Sequence, residues 1–167
     1  MFVNGQTLLQ AEPIKDMVSS KERFEGTSWG LAEAGYDIRI KQTIEYINDP
    51  FGERIVVTDP EGGKEVFAGN FVLASAMELF QMPENLVGNV KDKSTWARRG
   101  LSVFNTVIEP GWNGFLTLEL VFHGSESVTI VSGQGIAQVL FGRLEEAGDY
   151  GHGKYQNAID RPQPALH

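Results

Sequence analysis

Apolar and polar residues alternate in many short runs that are separated by glycine and proline, and this pattern predicts a chain built mainly of β-strands. Helix is expected only at "GQTLLQ" (Gly5–Gln10) and as a single turn in "STWARR" (Ser94–Arg99), with Ser94 or Thr95 as the N-cap. So many short strands with regular turn signals indicate an all-β barrel or sandwich. We expect strands at Gly35–Ile40, Arg54–Thr58, Asn70–Phe80, Gly100–Asn105, Gly114–Phe122, Ser127–Val131 and Ile136–Leu144.

The run "FLTLELVF" (Phe115–Phe122) shows the alternation most clearly. Its three leucines and Phe122 share one face, which we expect to face the core, while Glu119 stands on the opposite face. Two interpretations of Glu119 remain open. The pattern alone favours a solvent-facing glutamate on a half-exposed strand, and the alternative is a carboxylate that projects into a pocket between subunits.

Composition limits the function classes. The chain has 167 residues, which fits one domain over 1–167, and its formal net charge of -8 argues against nucleic-acid binding. It contains no apolar run long enough for a membrane span and no export leader, so we expect a cytoplasmic protein. It has no cysteine and only three scattered histidines, so a zinc site is not expected.

The segment "VKDKSTWARRGL" (Val90–Leu101) concentrates basic residues in this acidic chain. Ser94 and Thr95 would offer hydroxyl and N–H groups at a helix start, and Arg98 follows one turn later, so the three could hold one anion such as a phosphate chain. Lys91 and Arg99 are expected to project away from that side. The alternative is an ordinary solvated helix face.

Five segments of the chain, taken in order, carry a resemblance to a known family. They are "GYDIRI", "VFAGNFVLASAMELFQMPENLVGNVKDKSTWARRGL", "IEPGWNGFLTLEL", "GIAQVLFGRL" and "GKYQN". Together they resemble the dCTP deaminases of the trimeric dUTPase-like superfamily. The resemblance implies a distorted β-barrel of the dUTPase-like type, a homotrimer with active sites between subunits, and a C-terminal tail, 145–167, that closes over the active site.

The resemblance also implies roles for individual residues. Glu119 matches the catalytic glutamate, with Arg98 holding it and Ser94 orienting a water. The expected ligand is dCTP, with dUTP or dTTP as a further ligand or feedback inhibitor, and Mg²⁺ bound through the phosphates without protein ligands. The nucleotide-binding residues would be Lys93, Ser94, Thr95, Trp96, Ala97 and Arg98 at the phosphates, Glu109 at the sugar, Thr117 and Leu118 at the base, Glu119, and Tyr150, Lys154 and Gln156 in the tail.

The expected reaction is hydrolytic deamination of dCTP to dUTP and ammonia, with a glutamate replacing the zinc of other nucleobase deaminases. Three departures from the family leave alternatives open: a segment "SVFNTVIE" two residues shorter than usual, Val107 at a commonly basic position, and Ala158 at a common glutamine position. The alternatives are a bifunctional enzyme forming dUMP, a dUTPase, and a non-catalytic nucleotide-binding regulatory trimer.

Overall fold

The computed structural model describes every residue from Met1 to His167. It contains fourteen strands and two short helices, and neither helix is long and apolar enough to cross a membrane. The helices are α1 (Gly5–Ala11) and α2 (Ser94–Ala97). The strands are β1 (Phe2–Val3), β2 (Lys21–Phe24), β3 (Thr27–Leu31), β4 (Tyr36–Arg39), β5 (Thr43–Asp49), β6 (Gly52–Thr58), β7 (Lys64–Ala68), β8 (Phe71–Gln81), β9 (Leu86–Asp92), β10 (Leu101–Val103), β11 (Val107–Ile108), β12 (Asn113–Phe122), β13 (Val128–Ile130) and β14 (Gly135–Arg143).

These strands form three antiparallel sheets around one apolar core. The largest has the order β11-β9-β14-β4-β3-β2, with β1 also paired to β14. The second has the order β10-β12-β8, and the third the order β13-β5-β6-β7. The predicted all-β class is confirmed, although the sheets are not joined into one closed barrel.

The core faces of the sheets meet around β12. Leu116, Leu118 and Leu120 are buried, as their alternation predicted, and Leu118 and Leu120 pair in register with Ala74 and Val72 of β8. The register between β8 and β12 shifts at one point, and there Ala76 of β8 forms an isolated β-bridge to Ile40, the residue directly after β4. This bridge links the β10-β12-β8 sheet to the largest sheet. Burying one large apolar side chain contributes about 1.5–3 kcal/mol, so this face of β12 holds the sheets together.

All seven predicted strands are present, with ends displaced by at most two residues, and α1 lies at the predicted place. The predicted N-cap of α2 is wrong. Lys93 occupies that position, with extended backbone angles, and its carbonyl accepts the N–H groups of Trp96 and Ala97. Ser94 and Thr95 are therefore inside the helical turn.

The chain after β14 contains no strand and crosses the outside of β12. The Asn157 N–H donates to the Asn113 carbonyl at 2.8 Å, and the Phe115 N–H donates to the Ala158 carbonyl at 2.9 Å. Gly114 allows this approach, because a Cβ there would lie 2.6 Å from the Ala158 nitrogen and its φ is +144°. The C-terminal tail is thereby anchored at the beginning of the strand that carries Glu119.

Candidate active site

Glu119 lies on the face of β12 that is turned away from the core. Alternate residues of β12 are buried, whereas Phe115, Thr117, Glu119 and Val121 are half-buried. Phe115, Thr117 and Glu119 line a cavity of about 550 Å³. Glu119 thus faces a cavity within the protomer, and the placement of that pocket between subunits stays a prediction.

The walls of this cavity come from three parts of the chain. The turn after β11 contributes Glu109 and Trp112, and β11 itself contributes the apolar side chain of Val107. The tail supplies the roof through Tyr150, Tyr155, Ala158, Gln163, Pro164 and Ala165. The cavity therefore exists in this form only because the tail lies over β12.

Glu119 has no basic partner in the protomer. It takes part in none of the salt bridges, which involve other pairs throughout. Burial raises the pKa of its carboxyl group above the ordinary value of 4.5, and only its own backbone N–H opposes that shift. A carboxylate with a raised pKa and no partner is a stronger base than an exposed one, and it is free to bond a ligand or water.

The predicted tail residues lie near the cavity but have different tasks. The Tyr150 N–H donates to the Pro110 carbonyl at 2.8 Å, which places its ring on the cavity wall. The amide group of Gln156 donates to the Gly111 carbonyl at 2.9 Å and accepts from the Asn113 N–H at 2.7 Å. Lys154 donates to the Leu166 carbonyl at 2.8 Å, within the tail. Gln156 and Lys154 therefore hold the tail itself and do not line the cavity.

The structure places the two residues that were predicted to line the base on opposite faces of β12. Thr117 lines the cavity, and its hydroxyl accepts the Gln163 N–H at 3.0 Å, so it contacts the roof. Leu118 is 1% exposed and points into the core. Its side chain is turned away from the cavity, because neighbouring positions of a strand face opposite sides, and the predicted place of Leu118 at the base stays a prediction.

Lys93 does not present its charge to a ligand. Its ammonium group donates to the Ser28 hydroxyl at 2.8 Å and forms a salt bridge with the buried Asp37. Asp37 also accepts from the Gln138 amide at 3.1 Å. In the protomer the Lys93 side chain therefore ties the start of α2 to β4, and the place of Lys93 in a phosphate-binding segment stays a prediction.

The other predicted phosphate residues divide into exposed and buried ones. Ser94, Thr95, Ala97 and Arg98 are exposed, and Arg98 forms no salt bridge. Trp96 is 2% exposed and donates its indole N–H to the Gly135 carbonyl at 2.8 Å, so its side chain belongs to the core. The turn thus offers an anion two hydroxyl groups and an unpaired guanidinium.

Arg99 departs from the prediction that it projects away. Its guanidinium lies 5.2 Å from the centre of the Trp96 ring, and it lines the same surface cavity as Arg98, about 380 Å³ in volume. This cavity shares no lining residue with the one that holds Glu119. One protomer therefore does not bring Arg98 and Glu119 to the same cavity.

Comparison with known proteins agrees with this architecture. A family model described as dCTP deaminase-like matches residues 8–144. The chain belongs to the dCTP deaminase-like family. The dCTP deaminase of Protochlamydia amoebophila is 33% identical to it, over 95% of this chain and 93% of that protein.

Solved structures share the fold of this dCTP deaminase-like chain at lower identity. The 2'-deoxycytidine 5'-triphosphate deaminase of Agrobacterium tumefaciens aligns with a TM-score of 0.57 and 10% identity, over 89% of this chain and 50% of that one. A mutant dUTPase from phage phi11 of S. aureus, described with a structural Mg(II) ion, aligns with a TM-score of 0.51 and 14% identity, over 84% and 92%.

Two residues of this family member that sequence reasoning missed are Asp37 and Gln163. Asp37 is a lone acid in the predicted strand "GYDIRI", and a charged residue inside an apolar strand signals a buried partner. Gln163 contacts the cavity through its backbone N–H, for which side-chain patterns contain no signal. The first was accessible to sequence analysis and the second was not.

Proposed function

We propose that this protein is a dCTP deaminase, which converts dCTP and water to dUTP and ammonia. The observation that carries the proposal is Glu119, a half-buried carboxylate without a basic partner, which faces a cavity roofed by the tail. Membership of the dCTP deaminase-like family supports the same reaction. Because dCTP is a metabolite of the cell interior, we also propose that the enzyme is cytoplasmic.

The chemistry assigned to Glu119 is general acid–base catalysis. Its carboxylate takes a proton from a water molecule while the water oxygen bonds to C4 of the cytosine ring. The resulting tetrahedral carbon carries both a hydroxyl and an amino group. The C4–N3 double bond becomes single in this step, and N3 takes up the proton that Glu119 removed from the water. Glu119 then transfers the hydroxyl proton to the amino nitrogen, which breaks the C–N bond, releases ammonia and leaves the C4 carbonyl of dUTP.

A complete site requires a second copy of the chain in this proposal. Arg98 opens to a different cavity from Glu119, and Ser94 is exposed in the same helical turn, so we propose a homotrimer in which α2 of one subunit meets the Glu119 cavity of its neighbour. There Ser94, Thr95 and Arg98 would contact the phosphates, and Arg98 would hold the carboxylate of Glu119. Tail residues 145–167 would close the site, and Glu109 would lie at the sugar.

Magnesium enters this proposal as part of the substrate. The protomer has no group of three or more acidic, histidine or cysteine side chains arranged to hold a metal, whereas a triphosphate supplies the oxygen ligands that Mg²⁺ prefers. Mg²⁺ would neutralise part of the triphosphate charge beside an acidic protein, and the exposed hydroxyl groups of Ser94 and Thr95 would bond the remaining phosphate oxygens.

A second candidate is a bifunctional enzyme that carries dCTP on to dUMP. Glu109 favours it, because this carboxylate lines the same cavity as Glu119 and is exposed, so it could activate a second water for attack on a phosphate. A dUTPase without deaminase activity would leave Glu119 unused.

The decisive experiment incubates the protein with dCTP and with dUTP separately and measures ammonia, pyrophosphate and nucleotides. A deaminase releases ammonia and dUTP from dCTP and leaves dUTP intact. Pyrophosphate from both substrates identifies the bifunctional enzyme, pyrophosphate from dUTP alone identifies a dUTPase, and nucleotide binding without turnover identifies a regulatory protein. Glu53→Gln, at an exposed glutamate of β6 that forms no salt bridge, is the control for Glu119→Gln.

Mixing inactive variants tests the shared site. Arg98→Ala and Glu119→Gln subunits, when co-expressed, would form trimers in which about a quarter of the sites combine an intact Arg98 with an intact Glu119. We expect partial recovery of deaminase activity. Sedimentation as a monomer, or no recovery in proven mixed trimers, would contradict the shared site.

A further inference from the structure

Lys41 is a buried lysine to which the proposed reaction assigns no task. It follows Ile40 directly after β4 and is 6% exposed. Its backbone N–H donates to the Ser75 carbonyl at 2.8 Å, so the main chain is fixed against β8. A lysine is almost never buried to this extent without a partner for its charge.

Its partner is the C-terminal tail. The Lys41 ammonium donates to the Asp160 backbone carbonyl at 2.8 Å and lies 2.9 Å from the Asp160 carboxylate. Glu61 adds a second acid at 3.6 Å. Burial acts to lower the pKa of Lys41, but the hydrogen bond and charge of Asp160 outweigh it, so the pKa lies above the ordinary value. The lysine stays charged while the tail is in place.

The position of Asp160 in the tail makes this contact important. On one side of it, Ala158 is held by β12, and on the other side Gln163 donates its N–H to Thr117 at the roof of the Glu119 cavity. Between Ala158 and Gln163, Lys41 makes all the hydrogen bonds that join the tail to the β-sheet part of the protein. Beyond Gln163, the hydrogen bonds of Leu166 go to Lys154 and Tyr155, within the tail itself.

We infer that Lys41 is a positioning residue that latches the tail through Asp160, so that Gln163 and Pro164 form the roof of the Glu119 cavity. The latch acts on the tail and does not touch the substrate. Its kinetic consequence rests on the proposed deaminase function, because a closed roof retains the nucleotide and excludes bulk water from the reacting carbon.

The first test is hydrogen exchange of the unliganded protein, which does not depend on activity. In Lys41→Met, amides of residues 159–167 should exchange about tenfold faster, the change expected on loss of a charge-assisted hydrogen bond. The Asn157 amide, which bonds to β12 ahead of the latch, should be unchanged. Lys64→Met is the matched control, since this lysine is exposed and forms no salt bridge.

A second variant keeps the test decisive if Lys41→Met does not fold. Asp160→Ala removes the acid from a partly exposed tail residue and leaves the barrel intact. It should accelerate exchange of residues 159–167 as well, and combining it with Lys41→Met should add little. Unchanged exchange in folded Lys41→Met, or an equal effect of Lys64→Met, would overturn the latch.

The kinetic arm separates the latch from the proposed function. Lys41→Met should raise KM for dCTP about tenfold, with a smaller fall in kcat, and Lys41→Arg should restore KM. If the wild type does not deaminate dCTP, the proposed function fails while hydrogen exchange still decides the latch. A different outcome is an active wild type together with a Lys41→Met variant whose tail amides exchange faster but whose KM is unchanged. In that case Lys41 latches the tail without affecting the reaction, and the positioning role is wrong.

Discussion

Replacing Asp37 by asparagine should weaken both the fold and the helical turn α2, which we propose to bind phosphate. Asp37 is 2% exposed and forms a salt bridge with Lys93, whose carbonyl accepts the first two hydrogen bonds of α2. Asparagine keeps the size of the side chain but removes its charge. The ammonium of Lys93 would then remain buried beside a neutral amide, with the Ser28 hydroxyl as its one remaining partner.

The magnitude follows from the burial of both partners. Their side chains are 3% and 11% exposed, and breaking such a buried pair costs about 3–5 kcal/mol. Because Ser28 still accepts a hydrogen bond from Lys93, we expect the lower end, about 3 kcal/mol. For a chain of this length, each 1 kcal/mol lowers Tm by about 2–4 °C, so Tm should fall by roughly 6–12 °C.

Calorimetry and urea unfolding of a double-mutant cycle provide the assay. Lys93→Met removes the opposite charge, and the double variant should be more stable than the sum of the two single effects by at least about 1 kcal/mol. Triphosphate binding should weaken in both single variants, because the start of α2 is no longer held to β4. The reasoning would be refuted if Asp37→Asn lowered the free energy of unfolding by less than about 1 kcal/mol and the effects in the cycle were additive. Such a result would mean that the ion pair is solvated.

Three further predictions concern Glu119, Arg98 and Arg39. Glu119→Gln should lower the deamination rate about 10²–10⁴-fold. It should not lower Tm, because a carboxyl group whose pKa is raised on folding destabilises the folded state above that pKa. In the wild type, the acid limb of the kcat/KM profile should lie above pH 4.5, and an acid limb below that value would contradict the burial of Glu119. Arg98→Ala should weaken dCTP binding far more than deoxycytidine binding, whereas Lys91→Ala should do little, and equal losses for both ligands would assign the segment to folding. Outside the site, Arg39 of β4 forms a salt bridge at 2.9 Å with the buried Glu78 of β8. Arg39→Met should cost about 3 kcal/mol because it leaves Glu78 buried without its charged partner, and urea unfolding of Arg39→Met with Glu78→Met should show recovery.

The regular part of the fold was accessible from the sequence because alternation reports burial directly. In β12 every second residue is buried, and the pattern predicted both the core face and the opposite position of Glu119. Several strands were missed. One of them, β5, alternates regularly, with Ile44 and Tyr46 buried, and was accessible to the same reasoning, whereas two others do not show the signal cleanly in their sequence. All residues of β7 are exposed, so no apolar face marks it, and β9 contains Gly88 and Asn89, which read as turn residues. Pairing with neighbouring strands makes these segments extended, and pairing is a long-range property.

The site was accessible only in part, because side-chain chemistry does not specify distance. Lys93 and Arg98 look alike in the segment "KDKSTWARR", yet one ends in a buried salt bridge and the other stays exposed. What separates them is Asp37, which lies 56 positions away in the chain and appears as a neighbour only when β4 is in place. A cluster of cations therefore predicts that a phosphate site exists, but it does not predict which cations remain free to bind.

The tail carries the same argument one step further. Lys41 and Asp160 are 119 positions apart, and neither stands in a pattern that marks it as buried or paired. Periodicity describes contacts within one element and with its immediate neighbours, whereas a segment without regular structure is located by individual hydrogen bonds to distant residues. Few such bonds hold residues 159–167 to the β-sheets, so each contributes a large part of the free energy that keeps the tail closed. The loss of one bond is therefore expected to open the roof without unfolding the sheets. The residues that control closure are thus expected outside the catalytic motifs, at single buried charges such as Lys41.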